Sequence, residues 1–453
     1  MTNQQIIKHL EDLEATKVKL AIADIDGILR GKVISLDKFK GIVDGSFGFC
    51  NVVFGWDCAD ESYDNGTFSG WHTGYPDVPA FVDIDTFRTV PWDEDIPFFL
   101  ADFSGKKVKK SSLHVCPRTL LKKVKQELEK DMGFTANFSQ EFEWFNFAET
   151  PETLKEKQFL APTPMTPGMF GYSVLRSSQR SDFFNDLFDL LGEFDIPVEG
   201  IHTETGPGVY EAAITYGDIL ESADRAVLFK SSVKEIASKH GIIASFMAKW
   251  NEDLPGCSGH VHQSLWDGDK NLFHDEKDKN KMSSVFKSYL AGQLHCLPHI
   301  LPMLAPNINS FKRLVEGAWA PTTLTWGIDN RTVALRALPG GAKSCRLENR
   351  VPGSDTNPYL VMAASLASGM YGIKNKLKLS QPPVEGNGYE VNEFGKLPPS
   401  LWEATQKMKE SEIAKRLFGE KFVQHFCETR EWECREHAKA VSNWEIQRYF
   451  EVI

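Results

Sequence analysis

The spacing of hydrophobic and polar residues predicts a chain that mixes helices and strands. The run ESADRAVLFKSSVKEIASKHG places apolar side chains three and four positions apart, as one face of a helix does. CPRTLLKKVKQELEKDMG is a second predicted helix, with Pro near its start and Gly just past its end, and NPYLVMAASLASGMYGIKNKL is a third. The run VKLAIADIDGILRGKVI instead predicts two strands around an Asp-Gly turn. The pattern therefore predicts mixed α and β structure.

A charged segment, GKKVKKSS, separates two parts of the chain that differ in pattern. Residues 1–112 combine a short polar helix, strand-like runs and segments rich in Gly and aromatic residues, which predicts a smaller N-terminal domain. Residues 113–453 hold the longer predicted helices and the remaining strands, which predicts a larger second domain. Within that part, GNGYEVNEFGKLPPS is predicted to be a surface loop.

One predicted strand, ANFSQEFEWFNF, carries two acidic residues on the same face. Glu141 and Glu143 alternate with Phe142 and Trp144, so both carboxylates project from one side while the aromatic rings bury on the other. Two like charges side by side in a partly buried strand would raise a pKa or share a cation. A solvated edge strand is the alternative interpretation.

The segments GHVHQSLW and KSCRLENR show the same alternation of polar and apolar positions. Two histidines on one strand face are compatible with metal binding, although a single histidine is more often structural. A carboxylate between two guanidinium groups is also compatible with a surface row of ion pairs. The polar residues that share a face are His260, His262 and Ser264 in the first segment and Arg346, Glu348 and Arg350 in the second.

A further segment, HTETGPGVYEAA, has Glu204 and Glu211 on either side of a Gly-Pro-Gly turn. Strands that point several carboxylates and a histidine one way predict an oxygen-rich site, which suits Mg²⁺ or Mn²⁺ rather than zinc bound by thiolates. Nearby arginines suggest a phosphate or carboxylate substrate held by paired hydrogen bonds. The residues alone are therefore compatible with phosphoryl transfer or with metal-assisted hydrolysis.

Composition narrows the function classes. The chain has 453 residues, of which 42% are hydrophobic and 25% charged, and its net charge of −11 argues against nucleic acid as a partner. No apolar run is long enough to span a membrane.

The eight cysteines form no CxxC pair, and with no signal peptide we expect reduced thiols in the cytoplasm. Neither a P-loop nor a dinucleotide-binding glycine motif is present.

A series of segments, taken in order, resembles the glutamine synthetase family over nearly the whole chain. The segments are GFCNVVFGWD, CPRTLLKKV, SQEFEWF, HTETGPGVYE, FMAKW with GCSGHVHQSL, NSFKRLVEGAWAP, DNRTVALRALP, KSCRLENR and DTNPYLVMAA. The most similar branches ligate glutamate to amines such as putrescine. The resemblance implies an α+β fold, with an N-terminal β-grasp domain (1–112) and a catalytic domain (113–453) whose antiparallel sheet forms an active-site funnel. It also implies a homo-oligomer of two stacked hexameric rings, a dodecamer, which the C-terminal VSNWEIQRYFEVI helps to join.

The resemblance also implies a role for individual residues. The family binds two to three Mg²⁺ or Mn²⁺ ions in each active site, with ATP and glutamate as substrates. The implied metal ligands are Glu143, Glu204 and Glu211 at one site and Glu141, His260 and Glu348 at the other. The implied glutamate-side residues are Gly256, Arg313, Arg331 and Arg350, and the implied ATP-side residues are Tyr216, His262, Ser264, Arg336, Lys343 and Arg346.

The implied reaction has two steps. The γ-carboxylate of glutamate would attack the γ-phosphate of ATP, and an amine would then attack the resulting acyl phosphate. Arg331, Arg350 and Trp319 are the residues expected to act at the reacting groups. Positioning and charge stabilisation would provide most of the catalysis.

The sequence departs from the family where the amine would bind. The loop VEGAWAP carries Trp319 where ammonia-using members carry a Glu that binds and deprotonates ammonium. In GFCNVV, Cys50 replaces an aspartate that a neighbouring subunit contributes to the same task, and Val52 and Val53 replace serines. An indole accepts no proton, and ammonium is small and strongly hydrated, so such a site should bind it poorly. We therefore expect these four residues to line a pocket for a larger amine.

The sequence leaves three main functions open, besides an acid substrate other than glutamate and a metallohydrolase. The favoured one is an ATP-dependent ligase that forms a γ-glutamyl amide. An ordinary glutamine synthetase would need another acid to replace the two that are missing. A non-catalytic structural assembly of the same fold is the third, and the survival of the metal ligands and of the phosphate-side basic residues argues against it.

Overall fold

The computed structural model describes residues 1–104 and 114–453. Within these residues the chain forms two β-sheets, a smaller N-terminal sheet and a larger one that the long helices cover. The predicted mixture of α and β structure is confirmed. The predicted linker GKKVKKSS and the predicted domain boundary after residue 112 lie outside the described residues.

The N-terminal sheet has six strands, β1 (Lys17–Ala23), β2 (Leu29–Ser35), β3 (Phe47–Cys50), β4 (Asp77–Val82), β5 (Arg88–Val90) and β6 (Ile96–Asp102). Their order is β2-β1-β6-β4-β3, with β5 paired to β6, and only the β1–β6 pair among them is parallel. The predicted Asp-Gly turn joins β1 to β2. Asp24 Oδ1 accepts hydrogen bonds from the backbone N–H groups of Asp26 and Ile28, and Gly27 adopts a φ of 81°.

The larger sheet has ten strands, β7 (Thr135–Phe147), β8 (Val198–Thr203), β9 (Val209–Ile214), β10 (Gly217–Asp218), β11 (Ile243–Ser245), β12 (Val261–Asp267), β13 (Lys270–Asn271), β14 (Trp326–Ile328), β15 (Leu335–Leu338) and β16 (Arg346–Asn349). Its main order is β14-β15-β16-β12-β7-β9-β8, while β10 and β11 pair with β7 and β13 pairs with β12. The predicted antiparallel arrangement holds except at one edge, where β14 runs parallel to β15.

The helices are α1 (Asn3–Asp12), α2 (Leu36–Ile42), α3 (Pro117–Met132), α4 (Pro151–Glu156), α5 (Val174–Gln179), α6 (Ser181–Glu193), α7 (Ile219–Lys239), α8 (Ser284–Ile300), α9 (Ser310–Arg313), α10 (Pro358–Lys374), α11 (Leu401–Glu410), α12 (Glu412–Phe418), α13 (Glu420–His437) and α14 (Asn443–Tyr449). The almost wholly buried α10 packs against α3, α7 and α8. Glycine permits the close approach of α8 to α10, because a Cβ on Gly292 would lie 2.5 Å from the backbone nitrogen of Gly372.

Strand β7 has one apolar and one acidic face, as its alternation predicts. Phe142 and Trp144 on the apolar face are fully buried, and their rings lie 5.7 Å and 5.6 Å from that of Phe229 in α7. Glu141 and Glu143 consequently project from the other face. The packing of β7 on α7 therefore fixes the direction in which these two carboxylates point.

One helix boundary and one predicted loop differ from the sequence-based expectation. The predicted helix at 221–241 begins earlier, at Ile219, because the side chain of Asp218 caps it by accepting a hydrogen bond from the N–H of Leu220. The predicted surface loop contains a short 3-10 turn, Gly388–Glu390, in which Gly388 is buried. That segment is therefore packed against the body of the protein rather than fully exposed.

Two further expectations concern the whole chain. All eight cysteines are free thiols, as predicted. Over the described ranges, no helix is both long and apolar enough to cross a membrane.

Candidate active site

An acidic cluster lies where β7 meets β9. Glu143 of β7 stands directly opposite Glu211 of β9, and Glu204 follows the end of β8. Carboxylate oxygens of these three residues lie within 4.8 Å of one another. The structure thus brings together the three residues that the sequence placed at the first metal site.

Burial and mutual repulsion both act on the carboxyl groups of this cluster. Burial raises the pKa of Glu143 to about 8, and the charges of Glu211 and Glu204 add to this rise. The N–H of Ser258, which donates to the carboxylate at 2.7 Å, acts in the opposite direction. Burial also raises the pKa of Glu211, even with His202 Nε2 at 3.4 Å. A divalent cation held by these oxygens would remove the repulsion, so the donor set fits Mg²⁺ or Mn²⁺.

A second cluster is centred on Glu141. His260 Nδ1 lies 2.8 Å from Glu141 Oε1 and 3.4 Å from Glu348 Oε1, so the three residues predicted for the second site are in contact. His262, which the sequence assigned to the phosphate side, joins them with its Nε2 3.2 Å from Glu141 Oε2. Burial would raise the pKa of Glu141, but the charges of His262 and His260 and their hydrogen bonds hold it well below its usual value. His260 Nε2 is buried and has no partner among the described residues, which leaves a donor atom for a ligand.

Glu348 is fully buried between two arginines. Arg336 Nη1 donates to Oε2 at 2.7 Å, and Arg350 Nη1 donates to Oε1. Burial alone would raise the pKa of Glu348, but the charges of Arg350, His262 and His260 lower it to about 2. The carboxylate is therefore ionised at neutral pH, which a metal ligand must be.

The residues predicted to bind glutamate meet in one region. Arg313 is buried, and its guanidinium donates to the carbonyl oxygens of Val351 at 2.9 Å and of Arg350 at 3.3 Å. A Cβ on Gly256 would lie 2.9 Å from Arg313 Cγ, so these two residues are in contact. Arg350 Nε in turn donates to the carbonyl oxygen of Arg331 at 3.1 Å. Two guanidinium groups are thereby fixed beside the carboxylates of the two acidic clusters, an arrangement that can bind carboxylates or phosphates.

A cavity of about 390 Å³ opens beside the second cluster. It takes in most of the residues predicted to bind ATP. The exception is Arg336, which lies on β15 and is held by ion pairs to Glu348 and Asp329. The predicted residues that line the cavity are Tyr216, His262, Ser264, Lys343 and Arg346.

Sequence reasoning missed five polar residues of this cavity, namely Asn137, Ser139, Glu199, Gln263 and Ser344. Glu199 is exposed and follows the buried Val198, so the alternation in β8 was visible in the sequence. An acidic residue on the open side of a strand is too common to indicate a site. Only the neighbouring strands show that Glu199 faces a cavity.

Trp319 borders a second, open cavity of about 670 Å³, together with Arg331. The indole is 58% exposed, and the backbone of Trp319 has a φ of 60°, a left-handed conformation that is unfavourable for a bulky residue. Ile328, Pro383 and Val384 line the same cavity. The loop therefore holds a large aromatic surface beside Arg331, which the sequence assigned to the glutamate side and to the reacting groups.

Cys50, Val52 and Val53 do not line the cavity of Trp319 within one chain. They lie at the end of β3, where Cys50 Sγ donates to the carbonyl oxygen of Tyr75 at 3.3 Å. Val53 is 3% exposed and packs in the N-terminal core, so its side chain faces inward. A pocket in which Cys50 and Val52 meet Trp319 would need a second subunit, and it stays a prediction. Because the side chain of Val53 is buried in the N-terminal core, it would stand behind the wall of such a pocket and not on it.

Comparison with known proteins agrees with the resemblance found in the sequence. The family model for the glutamine synthetase catalytic domain matches residues 114–449. Type-1 glutamine synthetase 2 of Dictyostelium discoideum is 54% identical over 454 residues, which cover 99% of this chain and 86% of that protein. Glutamate-isopropylamine ligase of Pseudomonas sp is 38% identical over 458 residues, which cover 99% of each chain.

The fold agrees with a solved structure as well. The GmaS/ADP complex superposes with a TM-score of 0.86 at 24% identity, and the match covers 100% of both chains. At that identity the likeness concerns the fold alone. The matched family model spans every residue of the two acidic clusters and most of the chain. The chain therefore belongs to the glutamine synthetase family.

Proposed function

We propose that the protein joins glutamate, by way of γ-glutamyl phosphate, to an amine larger than ammonia, with ATP as the second substrate. The observation that carries this proposal is the cavity in which Trp319 and three apolar side chains stand beside Arg331. An indole offers a π face and an apolar wall but accepts no proton. An amine with a hydrocarbon body gains buried apolar area there, whereas ammonium has none to bury.

For the first step, the two acidic clusters together would hold two to three Mg²⁺ or Mn²⁺ ions in each active site. Bound ions would neutralise phosphate oxygens of ATP and make its γ-phosphorus more electrophilic. Arg313 and Arg350 would hold glutamate so that its γ-carboxylate reaches that phosphorus, and Arg331 would stabilise the charge that develops on the transferred group. The five predicted residues that line the cavity beside the second cluster, together with Arg336, would bind ATP.

For the second step, the amine would attack the acyl carbon from the side of Trp319. The C–O bond to inorganic phosphate would break as the new C–N bond forms, and the departing phosphate would take up the proton that the nitrogen loses. The nucleophile must be the free base, because an ammonium nitrogen has no lone pair to donate. Two carboxylates border the cavity, Asp329 and Glu385, and Asp329 is already paired with Arg336. Glu385 is exposed and would suit a second, distal ammonium group, so diamines are among the candidate substrates.

Ordinary glutamine synthetase activity is the second candidate. The 54% identity to type-1 glutamine synthetase 2 of Dictyostelium discoideum supports it, whereas the 38% identity to a glutamate-isopropylamine ligase supports the amine ligase. With ammonium as substrate, Glu385 or Asp329 would have to receive the proton that the missing acids receive elsewhere in the family. Neither lies on the loop that carries Trp319.

Phosphate release from ATP tests the proposal. The purified protein is given Mg²⁺, glutamate and, one at a time, ammonium, methylamine, ethanolamine, putrescine, spermidine or an aromatic amine. We expect at least one organic amine to stimulate turnover more than ammonium does. Stimulation by ammonium alone would overturn the proposal in favour of glutamine synthesis. No turnover under any condition would favour a non-catalytic assembly.

We also propose that the active form is a dodecamer and that residues 1–112 and 113–453 are its N-terminal β-grasp and catalytic domains. Support for assembly comes from the C-terminal end, where Trp444, Phe450 and Ile453 are 59%, 87% and 93% exposed. Apolar side chains exposed in such a group are typical of a surface that another chain covers. The six-strand N-terminal sheet supports the division into domains.

A further inference from the structure

Tyr389 places a buried hydroxyl beside the residues proposed to bind glutamate. Its Oη atom is shielded from solvent, and within residues 1–104 and 114–453 no group completes a hydrogen bond with it. Burial raises the pKa of Tyr389, while the charges of Arg350 and Arg313 and the backbone N–H of Trp319 act in the opposite direction. The hydroxyl therefore lies within the field of two guanidinium groups and is not paired with either of them.

The segment that carries Tyr389 is fixed to the wall of the site by backbone contacts. The N–H of Gly388 donates to Thr332 Oγ1 at 2.8 Å, and Thr323 Oγ1 donates to the carbonyl oxygen of Gly388 at 3.3 Å. A Cβ on Gly388 would lie 2.7 Å from the carbonyl oxygen of Thr332, so this approach requires glycine. The position of the Tyr389 ring is consequently set by the fold and not by a free loop.

Further contacts join this segment to the loop of Trp319. The N–H of Leu324 donates to the carbonyl oxygen of Gly395, and the N–H of Leu397 donates to that of Thr322, both at 2.9 Å. These two hydrogen bonds hold the segment that follows Tyr389 against the segment that follows Trp319. The hydroxyl thus stands at the border between the proposed glutamate side and the proposed amine side.

The surroundings decide which kind of ligand atom suits the hydroxyl. No described residue accepts the O–H proton of Tyr389, so that proton is left to be donated to a ligand. Guanidinium groups have no acceptor atom, so neither Arg313 nor Arg350 can receive that proton. An ammonium group would be repelled by both arginines, whereas a carboxylate oxygen accepts the hydrogen bond and is attracted by the same charges.

We propose that Tyr389 Oη donates a hydrogen bond to a carboxylate oxygen of the acid substrate held by Arg313 and Arg350. This inference rests on the proposed assignment of these two arginines to the glutamate side. Tyr389 is then a binding residue for the acid and has no direct part in the choice of amine. A buried hydroxyl without an acceptor also discriminates against acids that leave it unpaired.

Tyr389→Phe tests the inference, because it removes only the hydroxyl. The affinity of the full-length protein for L-glutamate is measured by calorimetry, with Mg²⁺ and a non-hydrolysable ATP analogue present. We expect glutamate to bind about 10- to 100-fold more weakly, the range for a lost hydrogen bond to a charged group. Affinity for the ATP analogue and the melting temperature should stay unchanged. Tyr371→Phe, a half-buried tyrosine at the far end of α10, is the matched control and should change nothing.

Each other outcome has a definite meaning. Unchanged glutamate affinity in Tyr389→Phe would overturn the inference, and so would a variant whose only change is a higher KM for the amine. No glutamate binding by the wild-type protein would overturn it together with the assignment of the arginines. Glutamate binding without amine-dependent phosphate release would contradict the proposed ligase function, while the effect of the variant on glutamate affinity would still decide the role of Tyr389.

Discussion

The buried carboxyl group of Glu143 is proposed to bind a metal ion, and it lowers the stability of the metal-free protein. Its raised pKa reflects burial and the nearby charges of Glu211 and Glu204, so the ionised form destabilises the metal-free protein. We predict that Glu143→Gln lowers turnover by roughly two to three orders of magnitude, because it removes a charge from the proposed metal site. The same variant should melt at a higher temperature than the wild type when both are metal-free. Phosphate release and thermal unfolding measure the two effects.

Glu410→Gln is the matched control, because Glu410 is exposed on α11. It should leave both turnover and melting temperature unchanged. Wild-type turnover in Glu143→Gln would remove Glu143 from the proposed metal site. A lower melting temperature would show that the carboxylate is stabilised by its neighbours in the metal-free protein.

Trp319→Ala separates the two steps of the proposed reaction. The variant should keep glutamate-dependent formation of ADP in a single turnover, since the phosphate-side residues are untouched. Its kcat/KM for amines with an apolar body should fall about 10- to 200-fold relative to that for ammonium, because an apolar wall is lost. Trp402→Ala, an exposed tryptophan on α11, is the control. An unchanged ranking of amines would remove Trp319 from the account of specificity.

Alternation along single strands was enough to predict that Glu141 and Glu143 share a face. It was not enough to place His262 against Glu141, because that contact depends on the pairing of β12 with both β7 and β16. The position of Tyr389 beside the arginines could not be predicted from the sequence either, since it follows from the path of a loop. The relation of Cys50 to Trp319 depends on a second subunit, which a single chain does not contain.

Helix α7 carries a lysine, Lys230, on the side that packs against β7. Lys230 Nζ donates to the carbonyl oxygen of Thr356 at 2.9 Å and lies 5.8 Å and 5.7 Å from the ring centroids of Phe142 and Phe246. No salt bridge to Lys230 is present in the described part of the chain. Burial lowers the pKa of Lys230 to about 7, and the charge of Lys234 adds to this effect.

This lowered pKa predicts a pH-dependent stability. Above pH 7 and up to the ordinary lysine value of 10.5, the unfolded chain holds a proton that the folded chain has released. The free energy of unfolding should therefore rise with pH, by at most about 1.4 kcal/mol per pH unit. Urea unfolding at about pH 7.5 and about pH 9 should show this rise in the wild type and not in Lys230→Met. The exposed Lys239→Met is the control, and an equal rise in all three proteins would contradict the prediction.

Hydrophobic periodicity predicted α3, α7 and α10 and the β1–β2 hairpin, because each depends on local pattern and on a capping or turn residue. The parallel pairing of β14 with β15 was not predictable in this way, since both strands are short and their pairing depends on distant segments. The turn at Gly388–Glu390, with its buried Gly388, was missed for a related reason. Its polar and glycine-rich sequence is typical of a surface loop, and only the contact with Thr332 buries it.

At the scale of the whole molecule, the C-terminal helix α14 is the clearest candidate for a contact between rings. We predict that a chain ending at Ala440 forms particles of about half the wild-type mass, because the exposed apolar residues of this segment are removed. Analytical ultracentrifugation measures the mass. An unchanged mass would show that α14 is not needed to join the rings.

In the proposed reaction, a carbon-bearing amine binds beside Trp319, while the two acidic clusters and their arginines serve phosphate transfer. The most direct test is a competition in one reaction that holds ATP, Mg²⁺, glutamate and equal concentrations of ammonium, methylamine, ethanolamine and putrescine. Mass spectrometry then quantifies glutamine and each γ-glutamyl amide. We expect one γ-glutamyl amide to exceed glutamine by at least about tenfold. Glutamine as the main product of this competition would contradict it.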